Sequence, residues 1–243
     1  MERIASGPFE GLLKNGYSVI YADPAWTFTT RADTGKGRSP EQHYNCMTLD
    51  EIKALPVADL AGKNCVLLLW TIDTHLEMAL DVIKAWGFKY KTKGFNWVKL
   101  NQDGTPFTGM GFWTRANPED CLMAINCNED CLLATIGQPK RDAKNVRRLV
   151  MSPRREHSRK PDEVRGEIER LVDGPYVELF ARQSSAGWDS WGDQKTKFAA
   201  TTSLGETKNR QNLATFDRIG GQTTLQDLLS KTPVSTDLSA LLN

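Results

Sequence analysis

An acid, a proline and a tryptophan leave the apolar run Val19-Ile20-Tyr21-Ala22 directly, as Asp23-Pro24-Ala25-Trp26. Those side chains can hold a planar heterocycle. An ionised Asp23 accepts a hydrogen bond from an exocyclic amine, Pro24 fixes φ and offers a carbonyl with no N–H of its own, and Trp26 offers a face for stacking. Together they would present an amino nitrogen for attack, so Asp23, Pro24 and Trp26 are the candidate catalytic residues. An Asp-Pro after a strand is, taken alone, most often a turn with a solvated acid. The corner nevertheless falls where open α/β sheets bind ligands, outside the carboxyl end of a strand.

Positioning such a corner requires a sheet. Apolar runs at residues 19–22, 65–70, 95–98, 121–125, 147–151 and 176–180 read as buried strands. Helical spacing falls between them. Residues 49–55 follow Thr48, an N-cap with Glu51 three positions on, which is a capping box. Residues 75–86 carry the stripe Leu76, Ala79, Leu80, Ile83 and Trp86, and residues 161–171 open on Pro161 with Asp162 and Glu163 in the first turn. The alternation predicts an α/β fold, a mostly parallel sheet with helices on both faces. Residues 27–45 and 101–110 are loop-like, and the first, following the corner, reads as a lid. After Phe198 the composition turns to Thr, Ser, Gly, Asn and Gln. The expected organisation is therefore a catalytic domain over 1–198, then a linker and tail over 199–243 in which Leu225, Leu228, Leu229, Leu238, Leu241 and Leu242 form short amphipathic stripes or remain disordered.

The chain has 243 residues, 40% of them apolar, enough for one sizeable core. A net charge of +1 advertises no polyanion partner. Between Lys140 and Arg165, however, ten basic residues face four acidic ones, the footprint of a phosphate-contacting surface or of a solvated loop and helix face. Arg154 and Arg155 are its candidate substrate contacts. Five cysteines, with no stretch of membrane-spanning length, place the expected protein soluble in the reducing cytoplasm, with no membrane partner. Cys121, Cys127 and Cys131 lack the paired spacing of a zinc knuckle, and His43, His75 and His157 are distant in sequence, so no metal is expected. Trp70, Trp86, Trp97 and Phe180 read as core, and Trp188 and Trp191 as core or ligand-facing walls.

Several short blocks in order resemble the DPPW-type adenine-N6 methyltransferases, the MT-A family. From Ser18 to about Gln194 these are Asp23-Pro24-Ala25-Trp26, His43-Tyr44-Asn45-Cys46-Met47-Thr48, Val66-Leu67-Leu68-Leu69-Trp70, Ala85-Trp86-Gly87-Phe88 and Asn96-Trp97-Val98-Lys99. Gly111-Phe112-Trp113-Thr114-Arg115 with Glu119, His157-Ser158-Arg159-Lys160-Pro161-Asp162-Glu163 and Glu178-Leu179-Phe180-Ala181-Arg182 complete the series. The resemblance implies a Rossmann-like fold and S-adenosyl-L-methionine as methyl donor. It is strongest to prokaryotic and viral DNA-adenine members, through the His43-Tyr44 and 111–115 blocks, so DNA is favoured over RNA. An RNA-adenosine methyltransferase, a cytosine-N4 enzyme, a catalytically silent subunit and a plain nucleotide-binding module are the alternatives, and assembly into homo- or hetero-oligomers is open.

Roles carried by the resemblance attach to particular positions. Asp23 borders the methionine end of the donor, Lys160 matches a lysine near its carboxylate, Glu178 and Arg182 lie beside the ribose, and Gln194 lies near ribose and adenine. Tyr44, His43 and Arg115 fall on the substrate side, with Tyr44 a second stacking ring. Three departures stand out. Ala25 replaces a second proline, Asp193 replaces an asparagine, and Ser184 and Ser185 replace a His-Asn pair, which leaves the two serines as weaker donor-binding candidates.

Overall fold

A computed structural model describes residues 1–27, 46–105, 107, 128–156 and 159–198. Residues 1–197 form one compact unit, and residues 198–243 fall in a second. The lid expectation for 28–45, the strand expectation for 121–125 and the leucine stripes of the tail lie outside the described residues.

Seven strands form a single sheet: β1 (Tyr17–Ala22), β2 (Ala61–Thr71), β3 (Lys89–Leu100), β4 (Asn128–Ile136), β5 (Leu149–Pro153), β6 (Tyr176–Leu179) and β7 (Trp188–Trp191). Their spatial order is β5-β3-β4-β2-β1-β6-β7. Strand β1 pairs parallel with β2 and β6, β3 with β5, and β6 with β7, while β4 runs antiparallel to both its neighbours. The sheet is mostly parallel, as expected. Strands β4 and β7 were not expected. A run such as Cys131-Leu132-Leu133-Ala134 does not distinguish a strand from a buried helix by periodicity, and β7 interrupts its two tryptophans with Asp189 and Ser190.

The helices are α1 (Leu49–Ala54), α2 (Leu76–Ala85) and α3 (Glu163–Leu171). They cover both faces. Ile52 of α1 and Ala79, Val82 and Ile83 of α2 bury against Ile20, Ala22, Leu67 and Leu69, whereas Val164 and Ile168 of α3 bury against Val19, Tyr21, Val66 and Leu68. Strand alternation thus supplies both halves of the core, each fully buried aliphatic side chain contributing about 1.5–3 kcal/mol. Thr48 begins α1 with the expected box: its hydroxyl accepts from the Glu51 amide at 3.2 Å, and the Glu51 carboxylate accepts from the Thr48 amide at 2.7 Å. These bonds hold the Glu51 carboxyl below its ordinary range.

The stripe expected on α2 is displaced. Val82 is buried in place of Leu76 and Leu80, which are 37% and 36% exposed. Trp70, Trp86 and Trp97 are core, as is Trp188, which stacks on Tyr176 with centroids 4.8 Å apart. Phe180 is only partly buried and packs at the core's margin. Among the described residues no helix is long and apolar enough to cross a membrane.

Candidate active site

Because six strands share one direction, the carboxyl ends of β1, β2, β3, β5 and β6 emerge along the same edge of the sheet. Strand β4 runs the other way, so it is its first residues, including Glu129, that reach this edge. Carboxylates and ammonium groups from five segments therefore meet there.

They form an alternating chain. Lys99 Nζ, on β3, lies 2.6 Å from Glu129 Oε1, whose other oxygen lies 2.9 Å from Lys160 Nζ. Lys160 Nζ in turn donates to Asp23 Oδ2 at 2.7 Å, and Arg182 Nη2 stands 4.0 Å from that same oxygen. Lys160 also lies over the Trp70 ring, 5.5 Å from its centroid, an attraction between cation and ring quadrupole. Burial alone would push the Glu129 carboxyl up, but the Lys160 and Lys99 ammonium groups outweigh it and hold the group at about 2. Burial likewise disfavours the Lys160 ammonium, and Asp23 and Glu129 reverse this, raising its pKa. At neutral pH the chain keeps both Lys160 and Glu129 charged.

The corner after β1 is tightly held. Trp26 donates its amide to the Pro24 carbonyl at 2.8 Å, and the Ala25 carbonyl accepts from Met47 at 3.0 Å. Pro24 thus keeps one carbonyl lone pair for a ligand. The indole of Trp26 differs from expectation. It is 6% exposed, packs in the core, and donates Nε1–H to the Trp70 carbonyl at 3.2 Å. Its ring anchors the corner and does not offer an open stacking face. The missing signal was tertiary: only the fold brings the end of β2 within reach of that indole.

Other expected residues divide. Glu178, expected to address ribose hydroxyls, has both oxygens engaged by Arg165 of α3, Oε2 with Nε and Oε1 with Nη2, each at 2.8 Å. Burial raises its pKa, and Arg165 opposes that rise. Arg155, expected to contact substrate, is committed internally: Nη1 lies 2.6 Å from Asp162, and Nη2 donates to the Lys160 carbonyl at 2.8 Å. It positions the backbone that carries Lys160. Asp162 gathers Arg155, Arg159, Arg165 and Gln183, tying the start of α3 to the loop after β6. Arg154 is exposed, with its guanidinium carbon 3.4 Å from the Phe107 ring centroid.

Arg182 follows a backbone constraint. Phe180 adopts φ +61, the left-handed region, and the next residue, Ala181, donates to the Trp191 carbonyl at 2.8 Å. Such a conformation costs on the order of 1–3 kcal/mol and turns the chain sharply at the end of β6. Gly192 permits the close approach: a Cβ there would lie 2.6 Å from the Ala181 carbonyl oxygen. Ser184 is exposed and Ser185 partly buried on the loop beyond. Gln194 is partly buried, and its side-chain oxygen accepts from Lys197 at 3.0 Å. Tyr44, His43 and Arg115 lie outside the described residues. No group of three or more potential metal ligands occurs among the described residues.

Glu129, Lys99, Arg165 and Asp162 were not anticipated in these roles. The sequence does carry a faint signal for the first, an Asn128-Glu129-Asp130 step opening an apolar run. Acids entering a buried strand need partners, which is reason to look for them.

The MT-A70 family model matches residues 17–194. The type II methyltransferase M.MunI of Mycoplasma sp. is 28% identical over 220 residues, covering 82% of this chain and 88% of its own length. A putative N(6)-adenosine-methyltransferase MT-A70-like protein of Medicago truncatula is 32% identical over 73% of this chain, which spans 26% of that relative. The human N(6)-adenosine-methyltransferase catalytic subunit METTL3 is 28% identical over the same share, and 28% of its length is matched. With that family's pattern running from β1 past β7, and an acid clamped by a lysine where β1 ends, this chain belongs to the MT-A70 family of adenine-N6 methyltransferases, which use S-adenosylmethionine as methyl donor.

Proposed function

We propose that this protein transfers a methyl group from S-adenosylmethionine to the N6 amino group of adenine in DNA. The observation that carries the reading is the Asp23 carboxylate, set at the end of β1 and held on Oδ2 by Lys160. Support for DNA comes from the likeness to a type II methyltransferase along 88% of its length, against about a quarter of the N(6)-adenosine methyltransferases. RNA is the second reading, because the identity to METTL3 is also 28%.

The residues present fit the donor. Lys160 and Arg182 supply positive charge and Asp23 negative charge within one short span, which suits a zwitterionic amino-acid end. Ser184, Ser185 and Gln194 follow on the loops that would face its ribose and adenine. Glu178 would contribute there only through lone pairs that Arg165 leaves. When bound, S-adenosylmethionine supplies an electrophilic methyl on a sulfonium, which departs as a neutral thioether.

The chain's own groups act on the amine. The N6 lone pair is delocalised into the ring, so the site must favour its localisation. Asp23 Oδ1 and the remaining lone pair of the Pro24 carbonyl would accept the two N–H bonds, binding the pyramidal nitrogen of the transition state better than the planar ground state. Lys160 orients the Asp23 carboxylate through its contact with Oδ2. The proton lost from nitrogen becomes acidic as the new bond forms, so no strong base is required. In duplex DNA the target base must be flipped out; by the family resemblance Tyr44 and His43 would receive it and Arg115 would contact the strand, with Arg154 beside them. A reducing, cytoplasmic location belongs to the same reading, as expected from the cysteine usage of the sequence.

Labelled-methyl transfer to duplex DNA, single-stranded DNA and RNA in parallel, followed by nucleoside mass spectrometry, tests this. N6-methyladenine in DNA is the expected product. Label in RNA alone replaces the DNA reading, and cofactor binding without transfer replaces it with a silent subunit.

A further inference from the structure

The Arg154 guanidinium lies over the Phe107 ring at the functional edge, its carbon 3.4 Å from the ring centroid. Strand β5 ends at Pro153, and the next amide, that of Arg154, donates to the Leu100 carbonyl at 2.9 Å. Arg154 therefore leaves the sheet beside the end of β3. The chain beyond β3 folds back on itself: Asn101 and Thr105 are joined at 2.8 Å, Asp103 accepts from the Thr105 amide at 2.9 Å, and Gly104 takes φ +84. The fold-back delivers Phe107, whose amide donates to the Lys99 carbonyl at 2.9 Å, and Gln102 donates to the Arg154 carbonyl at 2.9 Å. Backbone bonds thus fix both partners of the stack.

Lys99 links the stack to the catalytic corner. Its carbonyl holds Phe107 while its ammonium lies 2.6 Å from Glu129, the carboxylate that continues through Lys160 to Asp23. A separation of 3.4 Å between guanidinium carbon and ring centroid is reached only with one plane lying over the other. Stacked in this way, guanidinium N–H groups point outward around the rim, the geometry that binds phosphate oxygens bidentately. The neighbouring Arg155 cannot do this, because Asp162 and the Lys160 carbonyl take its two terminal nitrogens. Arg154 is solvent-exposed.

We propose that Arg154, preorganised by stacking on Phe107, binds a backbone phosphate of the DNA beside the target adenine, at a spacing from Asp23 set through Lys99. The proposal rests on the DNA reading above and deepens it. Preorganisation is the point: the ring restricts a flexible side chain before the strand arrives, so less conformational entropy is lost on binding.

The test uses the full chain and sheared DNA lacking N6-methyladenine, read as labelled-methyl incorporation, with fluorescein-labelled fragments of the same DNA for binding at several salt concentrations. Phe107→Leu should raise KM for DNA roughly fivefold with kcat unchanged, because it removes the platform and keeps the charge. Arg154→Ala should raise KM more and lower the salt slope of binding by about one, and the double variant should be no worse than Arg154→Ala alone. Affinity for S-adenosylmethionine and the thermal midpoint, measured in parallel, should stay at wild-type values. Transfer to DNA with wild-type KM in both single variants overturns the proposal, as does additive loss in the double variant. If the unaltered protein methylates no DNA, the DNA reading has failed instead. The stack is then judged by retention of labelled DNA and RNA fragments, and equal retention by wild type and Arg154→Ala overturns it.

Discussion

Lys160 binds Asp23 across 137 positions of sequence, its ammonium 2.7 Å from Oδ2, while the same nitrogen binds Glu129 at 2.9 Å. One cation therefore joins the first strand's end, the reversed strand and the approach to α3. Removing one member of such a buried set leaves an uncompensated charge.

Asp23→Asn keeps size and removes the charge. It should lower kcat on the order of 10²–10³-fold, the scale at which a single transition-state hydrogen-bonding group acts. Circular dichroism and binding of S-adenosylmethionine report on whether the fold survives. Turnover at the wild-type rate would remove Asp23 from the mechanism.

Glu129 gives the protein an acid-sensitive component of stability. Its carboxyl is ordinarily near 4.5 and is held at about 2, so the folded pKa is depressed. The stabilisation is fully present above about 4.5 and is lost as pH falls from there toward 2, and it amounts to about 3 kcal/mol. Glu129→Gln should cost about 3–5 kcal/mol at neutral pH, through the two ammonium groups left facing each other, and flatten the pH dependence over that window. Urea denaturation as a function of pH measures both effects. A variant as steep as wild type between pH 4.5 and 2 would assign the acid sensitivity to another group.

Trp26→Phe separates anchoring from stacking. It preserves an aromatic face and deletes the N–H donated to the Trp70 carbonyl. The expected result is a loss of about 1–2 kcal/mol in stability with little change in KM for DNA. Unchanged stability with a raised KM would return the ring to a stacking role.

Arg155→Ala should lower the thermal midpoint and weaken S-adenosylmethionine binding, since it releases the Lys160 carbonyl and Asp162. The salt slope of DNA binding should stay at the wild-type value, in contrast with Arg154→Ala. A slope reduced by about one would make Arg155 a phosphate contact after all.

Local chemistry made much of this protein readable. The capping box at Thr48 and Glu51, five of the seven strands and the corner at Asp23 all depend on neighbours within a few residues, and all were visible as spacing and residue type; the helix expected to open on Pro161 was visible too, but it begins two residues later, at Glu163, with Asp162 as its N-cap. Lys160, Arg182 and Asp23, singled out through the order of the family's blocks, meet at the end of β1. What the chain could not display was the direction of β4, because a strand's apolar pattern is the same whichever way it runs. That reversal brings Glu129 to the functional edge and gives Lys99 and Lys160 their shared partner. The fate of Trp26, Glu178 and Arg155 was tertiary for a related reason. Whether a polar or aromatic side chain faces a ligand or another part of the protein depends on which remote group arrives beside it, and the Trp70 carbonyl, Arg165 and Asp162 arrive only when the sheet and α3 have packed.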